Sequence, residues 1–260
     1  MCAGSENVTR FVYPGRKYYT NPADPAREDD GLFGRGSVTW QIMGEPVLWL
    51  AAPRAVYLQG LHPRTEEAER AGRRIRKIHD AIAGTEPDGS MYRVDEPELL
   101  LWVHCGEVAS VVDVARRSRL PFATAELDTF VAEQRASAAL IGLDPALVPA
   151  SVAGLSAYFA QVRPSLHACQ EAMEALALTL DPPLPDDSRL FKLILPRLSS
   201  LAFATLPSWA RRLYGTPGGR HTDALATAGL RATRMALSAR PVLLAAMRNV
   251  HRAEQLGNLQ

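Results

Sequence analysis

Cysteine is scarce in this chain: Cys2, Cys105 and Cys169 lie far apart in 260 residues, and no CxxC pair occurs. An odd count in an Ala- and Arg-rich, bacterial-looking sequence favours reduced thiols over a disulfide framework. Charge of one sign is lacking too. Lys and Arg total 29 against 28 Asp and Glu, a formal net charge of +1, which gives no general pull towards nucleic acid or an anionic membrane. No run approaches the roughly 20 apolar residues needed to cross a bilayer, and the opening MCAGSENVTRFVYPGRKYY has no apolar core of signal-peptide type. HxxxH, HExxH and CxxCH are all absent, so neither a zinc-protease site nor covalent haem attachment is signalled. These absences leave a soluble, cytoplasmic globular protein with no membrane span and no nucleic-acid partner.

Hydrophobic residues make up 47% of the chain and charged residues 22%, which is ordinary globular composition. Strand-type alternation is hard to find beyond a short extended piece at GSVTWQIM. The first thirty residues, rich in Pro, Asp, Arg and Tyr, read as an extended arm, and residues 31–260 as one all-α, multi-helix domain. A helix is predicted from Glu45 or Pro46 to about Leu61, stopped by Pro63. The next runs through TEEAERAGRRIRKIHDAIAG to Gly84, and TEPDGSMYRV follows as a polar loop. Asp95 and Glu98 form a capping-box signature for a helix from Pro97 to about Arg117. Further helices are predicted over 125–141, 152–163 and 165–180. After a DPPLPDDS loop come 190–214, broken near Pro196 and Pro207, and 223 to about 254.

Two histidines fall on apolar stripes. His79 sits among Ala68, Ala71, Ile75, Ile78 and Ile82 at helical spacing, with Arg76 flanking the stripe one turn earlier. His104 sits among Leu100, Leu101, Val108, Val111 and Ala115, with Glu107 three residues on and able to orient its ring. An inward neutral imidazole is what a haem iron takes as axial ligand, and an arginine at the rim suits the anionic propionates. The competing reading is a pair of core histidines satisfied by backbone or carboxylate, and on spacing alone that is the commoner outcome. Cys105 lies about 100° round the helix from His104, towards the polar side, which argues against a thiolate ligand. Trp40 and Trp49 are either cavity lining or plain core. Arg116, Arg117, Arg119, Arg211 and Arg212 read as solvated residues at helix ends, and His167, His221 and His251 have no partner motif.

Four segments carry a resemblance: DDGLFGRGSVTWQI, PRAVYLQGLHPR, RRIRKIHDAIAGTEPDGSMYRVDEPELLLWVH and LPSWARRLYG. In order, across roughly residues 30–215, they are similar to the G-SVTW, RAL-LQ-HP, VR-x-x-H with DP-LLLWVH, and LP-W-R segments of the latex-clearing proteins and MpaB-type oxygenases. The resemblance implies an all-α fold that binds haem b non-covalently and activates dioxygen against an apolar small molecule. It carries the axial-ligand role to His79 with Arg76 as the motif arginine. It carries the two further motif histidines to His104 and His62, as pocket, distal or packing residues. Gln41 replaces the arginine usual after VTW. Between Arg64 and Thr65 the family's usual helix and R-x-x-R/K-T segment is missing, being either omitted from this chain or naturally absent.

Three functions follow from that pattern. The first is a haem-dependent oxygenase of natural-product biosynthesis. The second is a haem-binding or haem-free partner or carrier without turnover, in which two inward histidines ligate one iron. The third is a tailoring enzyme running a non-oxygenase reaction, such as a cyclisation, on the same fold.

Overall fold

The structure, a computed structural model, describes residues 32–33, 37–45, 47–48, 65–86, 89–180, 189–216 and 218–238. The predicted N-terminal arm, most of the helix predicted up to Leu61, His62, Trp49 and the DPPLPDDS loop lie outside the described residues. Among those residues the architecture is all-α apart from one small hairpin. In chain order it has α1 (Val38–Met43), α2 (Thr65–Asp80), β1 (Ala83–Thr85), β2 (Met91–Arg93) and α3 (Pro97–Arg117). There follow α4 (Thr124–Glu133), α5 (Arg135–Leu140), α6 (Val152–Val162) and a 3-10 turn (Arg163–Ser165). The order closes with α7 (Gln170–Leu180), α8 (Arg189–Thr205), α9 (Ser208–Leu213) and α10 (Arg220–Ser238).

The segment expected to be extended, VTWQIM, is helix α1. A helix start leaves N–H groups without intrahelical partners, and here they are met from two directions. Ser37 Oγ accepts from Trp40 N at 3.0 Å. The Glu133 carboxylate, from the end of α4, accepts from Val38 N at 3.1 Å, Thr39 N at 2.7 Å and Thr39 Oγ1 at 2.6 Å. These tertiary caps override the extended preference of Val38 and Thr39. The same contact explains why the single helix predicted over 125–141 is two: Gln134, fully buried at the junction, donates from Nε2 to Thr39 Oγ1 at 2.9 Å.

The polar loop predicted at TEPDGSMYRV is a hairpin, with Ala83 opposite Arg93, Gly84 opposite Tyr92 and Thr85 opposite Met91. Gly84 does not end the preceding helix. It lets the Tyr92 ring lie flat against the opposite strand, since a Cβ there would sit 2.5 Å from that ring. The predicted capping box is also absent. Glu96 is the N-cap of α3, with Pro97 in the first turn. Pro196 lies inside α8 without ending it, and α7 starts at Gln170 rather than near 165.

Helix α3 runs through the centre. Cys105, Val108, Val111 and Val112 pack with Ile42, Leu127, Phe130, Leu155 and Leu230 from α1, α4, α6 and α10 in the main core. Its C-terminal carbonyls are met by α10: Arg231 Nε donates to Arg117 O at 3.1 Å, and Arg234 Nη1 donates to Ser118 O at 3.1 Å and to Arg119 O. Two expectations are corrected here. Cys105 is fully buried rather than turned to the polar side. Cys169 is disulfide-bonded, not a reduced thiol, whereas Cys105 is free.

Candidate functional site

His79 lies in the last turn of α2, half-buried, with a buried Nδ1 that has no hydrogen-bond partner among the described residues. Burial lowers its pKa below the ordinary histidine value, and the nearby Asp95 carboxylate opposes that shift. Two helical turns separate Gly72 from His79, so the two residues and Arg76 share one face, Gly72 and His79 within about 20° of each other. That face meets the end of α5. Gly72 abuts Leu140 so closely that a Cβ would stand 2.6 Å from the Leu140 carbonyl oxygen. Arg76, expected at a propionate, donates from Nη1 to that same carbonyl. Its aliphatic stem runs past Gly142, which has a φ of +98°.

His104 lies in α3 and is 5% exposed. Its Nε2 is buried and likewise has no partner. Burial alone pushes its pKa down to about 4, so the ring is neutral at physiological pH and its lone pair is uncommitted. Glu107, expected to orient the ring, contributes nothing to that shift. One turn before His104, Leu100 packs with Ala138 of α5 and with Leu143 and Val148 of the following loop, forming a second, smaller core cluster. The faces bearing His79 and His104 thus both turn towards α5 and the loop after it, and the hairpin of β1 and β2 joins their helices. Trp40 stands on α1, which packs on α4.

Three features escaped sequence reasoning. The first is an aromatic chain linking distant motifs. Trp102, two residues before His104, meets Phe159 edge-on at 5.7 Å between centroids, and Phe159 faces Trp209 at 6.1 Å. Arg163 covers the Trp209 ring at 4.9 Å. Thus WVH and LPSW, a hundred residues apart, are joined through α6. The second is chemical: burial pushes the Cys105 thiol up to about 12, which removes it as a thiolate ligand. The third is Arg211, read as solvated but wholly buried. It donates to Ala204 O at 2.7 Å, to Leu206 O and to Asp223 Oδ1 at 2.7 Å. The last two had sequence signals: a thiolate role for Cys105 was already argued against from its helix angle, while the arginine pair after Trp209 pointed to the wrong environment.

Among the described residues no group of three or more His, Cys, Asp or Glu side chains is arranged to hold a metal ion. A porphyrin iron makes a different demand, because the macrocycle occupies four positions and the protein supplies one or two axial atoms. Two neutral imidazoles, His79 half-buried and His104 buried, each with a buried unpaired nitrogen, fit that demand. The family described as ER-bound oxygenase mpaB/B′/rubber oxygenase, catalytic domain, matches residues 64–239. The chain belongs to this family. No curated protein and no solved structure matches it. The family match takes in Arg76, His79, His104 and Trp209. It begins at Arg64, so His62 and the GSVTW segment stand ahead of it. Membership makes the chain an oxygenase-type catalytic domain, and no described helix is long and apolar enough to cross a membrane.

Proposed function

We propose that the chain is a haem b-dependent oxygenase, with His79 as axial ligand, acting on an apolar small molecule with dioxygen as co-substrate. The observation that carries this reading is the pair of buried, unpartnered imidazole nitrogens on His79 and His104 inside an oxygenase-family match. An unsatisfied buried polar atom costs about 1–3 kcal/mol, and ligation of an iron would relieve that cost at these two rings.

Haem, when bound, supplies the iron that activates dioxygen. The chain's own residues do the rest. His79, kept neutral by burial, offers a ring lone pair for axial ligation. His104, also neutral, has a buried Nε2 without a partner and would serve as a hydrogen-bonding group or as a second holder of the iron. Leu100, Leu143 and Val148 pack with Ala138 as an apolar cluster one turn from His104, and they keep water from that side of the helix. Arg76 spends one nitrogen on Leu140 O, and the remaining donors of its fork are the candidate partners of a propionate. The resemblance adds His62 to the pocket.

Absorption spectra with pyridine haemochrome quantitation test the reading. The wild-type protein from haem-supplied cells should show a Soret band at one haem per chain, and His79→Ala should lose it. Full haem with an unchanged spectrum in His79→Ala removes the ligand assignment. The unpaired Nε2 of His104 also favours a second reading, in which both histidines ligate one iron and the protein does not turn over. A six-coordinate low-spin spectrum unaltered by carbon monoxide after reduction selects that reading, and carbon monoxide binding selects the oxygenase.

A further inference from the structure

Arg93, at the end of β2, is bonded to both histidine helices. Its Nη2 donates to the Asp80 carbonyl at 3.1 Å and to Asp80 Oδ1 at 2.7 Å, immediately after His79 at the C-terminus of α2. Its Nε donates to Asp95 Oδ1 at 2.9 Å, and Nη2 also reaches Asp95 Oδ2 at 3.1 Å. Its backbone N–H donates to Glu96 Oε1 at 2.8 Å, the N-cap residue of α3. The guanidinium therefore closes the hairpin at its open end, where the chain leaves the His79 helix and enters the His104 helix. Asp95 gains a fixed orientation from this fork, and it is also the carboxylate whose field acts on His79.

We propose that Arg93 and Asp95 are positioning residues acting as one clamp: together they fix the His79 helix end against the start of the His104 helix. The proposal rests on the haem reading for its functional consequence, while the clamp itself is independent of haem. A planar fork is required because the acceptors belong to two residues on opposite sides of the hairpin end, and a lysine ammonium lacks that geometry. The side chains are substantially exposed, at 51% for Arg93, 37% for Asp95 and 71% for Asp80, so the clamp adds little global stability. Its effect is on placement.

The test compares wild type, Arg93→Ala, Arg93→Lys, Asp95→Asn and Arg93→Ala/Asp95→Asn, with thermal unfolding to verify the fold. In the haem-free proteins, the His79 ring signals in a proton–nitrogen NMR spectrum, assigned through His79→Ala, should shift in all four variants. Haem affinity should fall roughly tenfold to a hundredfold, as for other partners that orient a ligand. The double variant should lose no more than either alanine or asparagine single, because a unit broken once is already broken. Unchanged His79 signals in Arg93→Ala and Asp95→Asn overturn the clamp whether or not haem binds. Additive losses, or full recovery by lysine, overturn it as a geometric unit. A wild type that takes up no haem removes the cofactor reading instead, and the His79 signals still decide the clamp.

Discussion

His104 is a residue whose environment opposes its chemistry. A buried imidazole nitrogen without a partner destabilises the fold, and an apolar replacement of similar size relieves the penalty. His104→Leu should therefore raise the stability of the haem-free protein by about 1 kcal/mol while lowering haem occupancy. Urea unfolding and a haem titration on the same two proteins check both halves. The pH dependence has a definite sign. The ring titrates at 6.5 when unfolded and at about 4 when folded, so the neutral form's advantage is complete above pH 6.5 and is lost as the pH falls through 4. The full loss is about 3 kcal/mol, from the fall from 6.5 to about 4 at about 1.36 kcal/mol per pH unit. His104→Leu should lack that part of the acid sensitivity, and equal slopes of stability against pH in both proteins would refute the assignment. Cys105 one residue on should be inert: iodoacetamide at pH 8 should leave it unmodified in the native protein and alkylate it in urea, as mass spectrometry of its peptide would report.

Helices α2 and α5 meet through a glycine rather than through side chains. Alanine is favoured over glycine inside a helix by about 1 kcal/mol, yet at position 72 the added methyl would meet the Leu140 carbonyl oxygen at 2.6 Å. That neighbour is backbone and cannot swing away. Gly72→Ala should lower the melting temperature and weaken haem binding, because it tilts the face that carries His79. An increase in melting temperature would show that the helices separate freely. At this scale much of the fold was legible. Pro97 to Arg117 was read to the residue, because an apolar stripe and a leading proline specify it locally. Helix α1 was not legible, since the carboxylate that caps it stands 94 and 95 residues away on α4. The hairpin escaped because its strands are three residues each, too short for alternation to register. Asp95 was misread as a cap for a similar reason: its partner, Arg93, sits on the hairpin strand that the sequence hid.

The molecule as a whole is tied together by arginines used as connectors. Arg211 joins the end of α8 to α9 and α10, and Gly218 leaves room for it, since a Cβ there would stand 2.1 Å from Arg211 Nε. Arg211→Met should destabilise the protein by about 3 kcal/mol, at the low end for a broken buried pair because Asp223 stays 40% exposed and keeps Arg117 at 4.0 Å. Chemical denaturation checks the size, and a change under about 0.5 kcal/mol would mean the pair is a surface contact in effect. The candidate site divides along the same line. The inward turn of the His79 and His104 nitrogens was legible because each residue sits on a local apolar stripe. The occupation of Arg76 by Leu140, the link from Trp102 to Trp209 and the burial of Arg211 were not, because each is settled by a partner distant in sequence.

The arginines at the foot of α3 carry one more consequence. Ser118 O waits for Arg234, 116 residues later, and Arg117 O waits for Arg231, 114 residues later. During synthesis the helix that bears His104 emerges long before the groups that close its end. The foot of that helix is therefore closed only once α10 has been made and has docked on it.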